Sequence, residues 1–159
     1  MAEFIKDDDG KFMLVEIAPE IGGEYIADLM AVHGAGIDLF SLFVLSSTGH
    51  SKSEAEIHTQ KNGRDRSGGR VSGKRAVIIR FLMPNDGIVS EIEAPPFQSK
   101  NSELLFSRQL KSAGDRLSRA RGNLDRPYVF VLCGESEKLK EVEEDAENYA
   151  GEIKIGYRH

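Results

Sequence analysis

Short apolar stretches separated by turn residues open the chain. Glu3 to Lys6 and Lys11 to Ile17 are strand-like, and Asp9-Gly10 between them is a strong turn signal, so a hairpin is expected. Pro19 then stands where a helix can begin, and Ile21, Tyr25, Leu29 and Val32 recur at helical spacing. Gly34 and Gly36 end that helix. Asp38 to Ser46 is rich in Leu, Phe and Val and short enough for a buried strand.

The pattern is interrupted between Ser47 and Lys74, a stretch with many glycines and serines that reads as a long loop. It resumes with Arg75 to Met83 and Ile88 to Ala94, joined by the turn Pro84-Asn85-Asp86-Gly87, which predicts a second hairpin. Phe106, Leu110, Ala113, Leu117 and Ala120 form one stripe at 100° per residue, which predicts a helix from about Asn101 to Arg121. Pro127 to Cys133 is a continuous apolar run and reads as a central strand. A last helix is expected over Glu135 to Ala150, with Leu139, Val142, Ala146 and Tyr149 on its buried side, and a last strand over Glu152 to Tyr157. Alternation of this kind predicts one α/β (α+β) domain over residues 1–159, a mixed central sheet with flanking helices.

Composition narrows the setting. With 40% hydrophobic and 30% charged residues the chain can build a core and a well-solvated surface. No run approaches the roughly 20 apolar residues of a membrane helix. The acidic, polar start is unlike a signal peptide, and a lone cysteine, Cys133, allows no intrachain disulfide. A cytoplasmic location is therefore expected. A protein encoded by a phage or mobile element fits the same description.

Charge changes the picture further. The net charge is −5, yet His50 to Arg126 holds 15 Lys and Arg against 9 Asp and Glu. Within the basic Gly/Ser-rich loop at about 47–74, Arg64, Arg66, Arg70 and Lys74 are candidate phosphate contacts for a nucleic acid or another polyanion. Gly68 to Arg75 nearly spells a phosphate-binding loop, but Arg75 replaces the hydroxyl residue and a strand follows instead of a helix.

Glu91 and Glu93 stand two apart on a predicted strand, so both face one side. Such a pair can hold a hard divalent cation, magnesium or manganese, which could activate water. Arg80 falls on the same face of the predicted hairpin, where it would make a cross-strand ion pair worth roughly 0.2–1 kcal/mol.

With these residues the segment resembles the restriction-endonuclease-like (PD-(D/E)XK) nuclease superfamily. Ser90-Glu91-Ile92-Glu93-Ala94-Pro95 is similar to that family's acidic-x-Lys triplet, with Glu91 at the acidic position and Glu93 where lysine usually stands. Arg80 stands about where the family carries an aspartate. The resemblance implies a restriction-endonuclease-like core and a nucleic-acid-binding protein, either a divergent metal-dependent phosphodiesterase with Glu91 and Glu93 as catalytic and metal residues, or an inactive relative. The rival reading is a non-enzymatic interaction or structural protein. Its basic loop would dock on a protein or small anion, or the chain would associate with itself.

Overall fold

The computed structural model describes residues 2–17, 23–49 and 75–158. Two strands, β1 (Ala2–Lys6) and β2 (Phe12–Ile17), form the expected antiparallel hairpin. A π-helical segment, Ile26–Gly34, and the helix α1, Leu39–Ser47, follow. Then come β3 (Arg75–Phe81), β4 (Gly87–Glu93), β5 (Ser102–Gln109), the short β6 (Arg116–Leu117) and a 3-10 stretch, Arg119–Asp125. The chain closes with β7 (Tyr128–Glu135), a 3-10 turn at Ser136–Lys138, α2 (Leu139–Glu152) and β8 (Lys154–Arg158).

The strands do not join one mixed sheet. Three antiparallel sheets are present among the described residues, in the orders β1-β2, β3-β7-β5 and β6-β4-β8. The reason lies in β7. Tyr128 to Gly134 are all buried, so this strand needs a neighbour on each edge and cover on both faces. Its edges are filled by β3 and β5. Tyr128, Phe130 and Leu132, alternate residues of one face, pack with Val142, Ala146, Tyr149 and Ile153. The π-helical segment packs against β3 and β7.

The amphipathic helix α2 buries Val142, Ala146 and Tyr149 as predicted, whereas Leu139, expected on the same side, is exposed; its glutamates face solvent and Asp145 is half-buried. Two other predictions fail for identifiable reasons. The run read as a strand at Asp38 to Ser46 is α1, started by the Asp38 carboxylate, which accepts from the Ser41 N–H at 2.9 Å and from the Ser41 hydroxyl at 2.6 Å. The helix expected over Asn101 to Arg121 is β5, a turn at Gly114 with φ of 98°, β6 and the 3-10 stretch. The helical stripe there was coincidental. The demand of β7 for a second edge partner overrides local periodicity.

The predicted β3–β4 hairpin does not form either. β3 pairs with β7, while β4 pairs with β6 and β8, and Pro84-Asn85-Asp86 carries the chain between the two sheets. Among the described residues no single helix is long and apolar enough to cross a membrane. Ile26–Gly34 and Leu39–Ser47 meet the length and composition only together, across a 112° bend.

Two features of this packing can be tested. At Gly134 an added Cβ would lie 2.5 Å from a Val142 methyl and 2.6 Å from the Asn101 carbonyl oxygen. Gly134→Ala should therefore cost about 1–3 kcal/mol through forced displacement, seen as a lower urea midpoint at unchanged slope. The Tyr149 ring stands edge-on to Phe97 and Phe130, at 5.1 and 4.9 Å between centroids, and its hydroxyl donates to the Pro95 carbonyl at 3.2 Å. Burial pushes its ionisation up to about 12, with the neighbouring Tyr128 adding to the shift. A folded-state value above the unfolded one, about 10, means that this stabilisation is intact below the unfolded value. It is lost as pH rises through the folded one. Ultraviolet titration of phenolate should show one tyrosine ionising late, and Tyr149→Phe should remove that component.

Candidate functional site

Glu91 and Glu93 lie on β4, as expected, but the strand is irregular there. A bulge at Ser90 breaks the register between Val89 and Glu91. Glu91 is then opposite Gly156, and the space that glycine leaves open holds the Ser90 hydroxyl, with the Glu91 side chain beside it. Glu93 is opposite Lys154. Arg80 is not their partner. It lies in the other sheet and pairs with Glu147 of α2 at 2.8 Å. Arg64, Arg66, Arg70 and Lys74, with the rest of the basic loop, lie outside the described residues.

Other acids have structural work. The Asp125 side chain is 1% exposed and accepts from the Ser118 N–H at 2.9 Å, with Lys111 at 3.5 Å and Arg121 at 3.6 Å. It thus organises the 3-10 stretch. Asp86 accepts from the Arg119 N–H at 2.9 Å, and this bond, aided by Ser118, holds its carboxyl below the usual carboxylate range. Asp145 of α2 accepts from the hydroxyls of both Ser99 and Ser102, tying the helix to the segment before β5. Among the described residues no group of three or more His, Cys, Asp or Glu could hold a metal ion.

The exposed N-terminal hairpin holds a different arrangement. Its turn is closed by Asp7, whose side chain accepts from the Lys11 N–H at 2.7 Å and whose carbonyl accepts from the Gly10 N–H at 3.0 Å. Gly10 takes the φ of 81° that this turn requires. From the turn outward the pairs are Lys6 with Phe12, Ile5 with Met13 and Phe4 with Leu14. The register then shifts. Glu3 is opposite Glu16, not Val15, which remains as the extra residue of a β-bulge.

The bulge therefore brings two carboxylates directly across from each other. Residues so paired have Cβ atoms roughly 4.5–5.5 Å apart, and like charges there are destabilising. Both glutamates are exposed, and Glu16 is carried on a strand whose other residues are apolar. A magnesium ion typically takes one or two carboxylates from protein, with water and substrate phosphates completing its shell. Glu3 and Glu16 are a donor set of that kind. Reading the sequence with a regular hairpin register pairs Glu3 with Val15 and hides the acidic pair. An acid on each arm of the Asp9-Gly10 turn was the available signal.

No family model matches the chain, and no curated relative does. Solved structures similar to it include two ligases. Phosphoribosylglycinamide synthetase from Anaerococcus prevotii superposes with a TM-score of 0.73 at 12% identity, covering 99% of this chain. L-amino acid ligase from Bacillus licheniformis superposes with a TM-score of 0.73 at 16% identity, again covering 99% of this chain. The backbone of this chain thus follows the path of part of each of these two ligases.

This finding corrects the nuclease resemblance. The triplet at Glu91 and Glu93 sits in a three-stranded sheet with β6 and β8, not in a restriction-endonuclease-like core. With that core goes the reading as a nucleic-acid-binding protein or metal-dependent phosphodiesterase. The chain spans 36% of the length of each ligase, so it corresponds to one portion of that architecture.

If Glu3 and Glu16 repel across the bulge, Glu16→Gln should stabilise the protein in metal-free buffer by a few tenths of a kcal/mol, up to about 1. The gain should shrink on adding salt. Thermal unfolding in chelator at low and high ionic strength checks both points. A loss of stability would place the Glu16 carboxylate in a favourable native interaction instead.

Proposed function

We propose that this chain is part of an amide-forming ligase and that its N-terminal hairpin carries the divalent cation that accompanies the nucleotide. The observation that carries this reading is the register of β1 and β2, in which a bulge at Val15 sets Glu3 opposite Glu16. The ligase fold supports it, because a ligase couples bond formation to cleavage of a nucleoside triphosphate. Both similar structures are named for products or substrates that contain an amino-acid unit. The substrate class proposed here is accordingly an amino acid whose carboxylate is joined to an amine.

In this reading Glu3 and Glu16 hold the cation, magnesium or manganese. When bound, the cation neutralises phosphate charge as the triphosphate is cleaved. The chain's own part is positional. Two adjacent strands fix the two carboxylates more tightly than a loop would. The bulge sets which face Glu16 presents. The remaining two-thirds of the ligase architecture would supply the nucleotide's other contacts. Cys133, fully buried at 0% exposure, fits a reducing compartment such as the cytoplasm.

Manganese titration followed by electron paramagnetic resonance, with and without a nucleoside triphosphate, tests the metal assignment. Glu3→Gln and Glu16→Gln should each weaken binding by on the order of tenfold or more, while Glu91→Gln should leave it unchanged. The assignment fails if both hairpin variants bind manganese as tightly as the wild type. Weakening in Glu91→Gln alone would move the cation to β4.

A further inference from the structure

Two consecutive non-glycine residues, Glu24 and Tyr25, hold φ values of 55° and 67°, and no other described non-glycine residue has a positive φ. Side chains resist this left-handed conformation, so surrounding contacts must hold it in place. The contacts are on β3, on β5 and in the segment before β7. The Tyr25 ring lies 4.8 Å from that of Phe106 and 6.3 Å from that of Phe81. The Glu24 carboxylate meets the Arg126 guanidinium at 2.6 Å, and that guanidinium lies 4.2 Å over the Phe81 ring.

The two partners of this ion pair are unequal. The Arg126 side chain is 16% exposed and that of Glu24 is 54% exposed. Among the described residues the Arg126 Nε is buried and has no hydrogen-bond acceptor. Arginine has five N–H donors and no acceptor, and buried donors are normally matched. The result is a largely buried cation with a spare donor, an aromatic floor, and a half-exposed carboxylate resting on it.

We propose that Arg126 is a receiving site for the carboxylate of a small acid with an apolar body, such as an amino acid, and that Glu24 is an internal stand-in for that carboxylate. The guanidinium fork matches a carboxylate with two parallel hydrogen bonds. Tyr25, Phe81 and Phe106 supply apolar surface for the rest of the molecule. Displacing Glu24 frees it to solvent and removes the contact that holds its backbone in the left-handed region. The site uses none of the hairpin residues and stands independently of the cation assignment.

Nuclear magnetic resonance titration of the full chain with L-leucine and with L-leucinamide, which lacks the carboxylate, tests this. Leucine should shift the signals of Tyr25 and Phe81, and leucinamide should not. Glu24→Gln removes the competing carboxylate and should tighten leucine binding by about tenfold. Arg126→Lys keeps the charge but loses the fork and should weaken binding by about the same factor. The proposal is overturned if leucine shifts nothing in the wild type up to its solubility, or if leucine and leucinamide bind alike. Leucine binding undiminished in Arg126→Lys would also overturn it. Manganese binding, measured separately, reports on the hairpin and not on this site.

Discussion

The strand β7 buries every residue from Tyr128 to Gly134, and that burial sets conditions the rest of the chain must meet. A strand with no solvent-facing side needs hydrogen-bonding partners on both edges and apolar cover on both faces. β3 and β5 supply the edges, and α2 covers one face with Val142, Ala146 and Tyr149. Each buried aliphatic or aromatic side chain is worth about 1.5–3 kcal/mol relative to exposure. That sum outweighs the modest local preferences of the segments recruited to it.

Around this core the chain keeps its charged groups in defined local roles. Asp125 is buried but bonded to a backbone N–H and flanked by two cations, so its charge is compensated. Asp145 plays a similar part for Ser99 and Ser102. Glu3 and Glu16 differ from these, with no ion pair or side-chain hydrogen bond among the described residues. Glu3 and Glu16 oppose each other on the exposed hairpin, an arrangement with an electrostatic cost that a bound cation would reverse. The same hairpin exposes Phe4, Ile5, Phe12, Met13, Leu14, Val15 and Ile17, each more than half accessible. Contiguous exposed apolar surface of that kind marks a contact region.

The fold likeness and the charges carried by the hairpin are different kinds of observation. A likeness at 12% and 16% identity concerns the path of the backbone, and function has to be argued from side chains. The opposed carboxylates provide that argument for a cation, and the Arg126 cluster provides a separate one for a carboxylate. The two sites call on different elements: β1 and β2 for the first, and β3, β5 and the entry to β7 for the second. Loss of one need not disturb the other, because residues without shared partners behave additively.

By itself the sequence determined the elements whose signals are local and strong. The Asp9-Gly10 turn specified the first hairpin, the unbroken apolar run at Tyr128 to Cys133 specified the central strand, and the spacing of Val142, Ala146 and Tyr149 specified the last helix. Only the tertiary structure decided the rest. Ser102 to Gln109 became a strand because β7 needed an edge partner, which no window of local sequence reveals. β3 and β4 parted into different sheets for the same reason, and so Arg80 met Glu147 instead of Glu91 or Glu93. The candidate cation site depended on one extra residue at Val15. Side chains alternate faces with period two, so a single-residue shift in register changes which charges meet. Which register forms depends on the turn geometry and on which face is buried, and both are settled only when the strands meet.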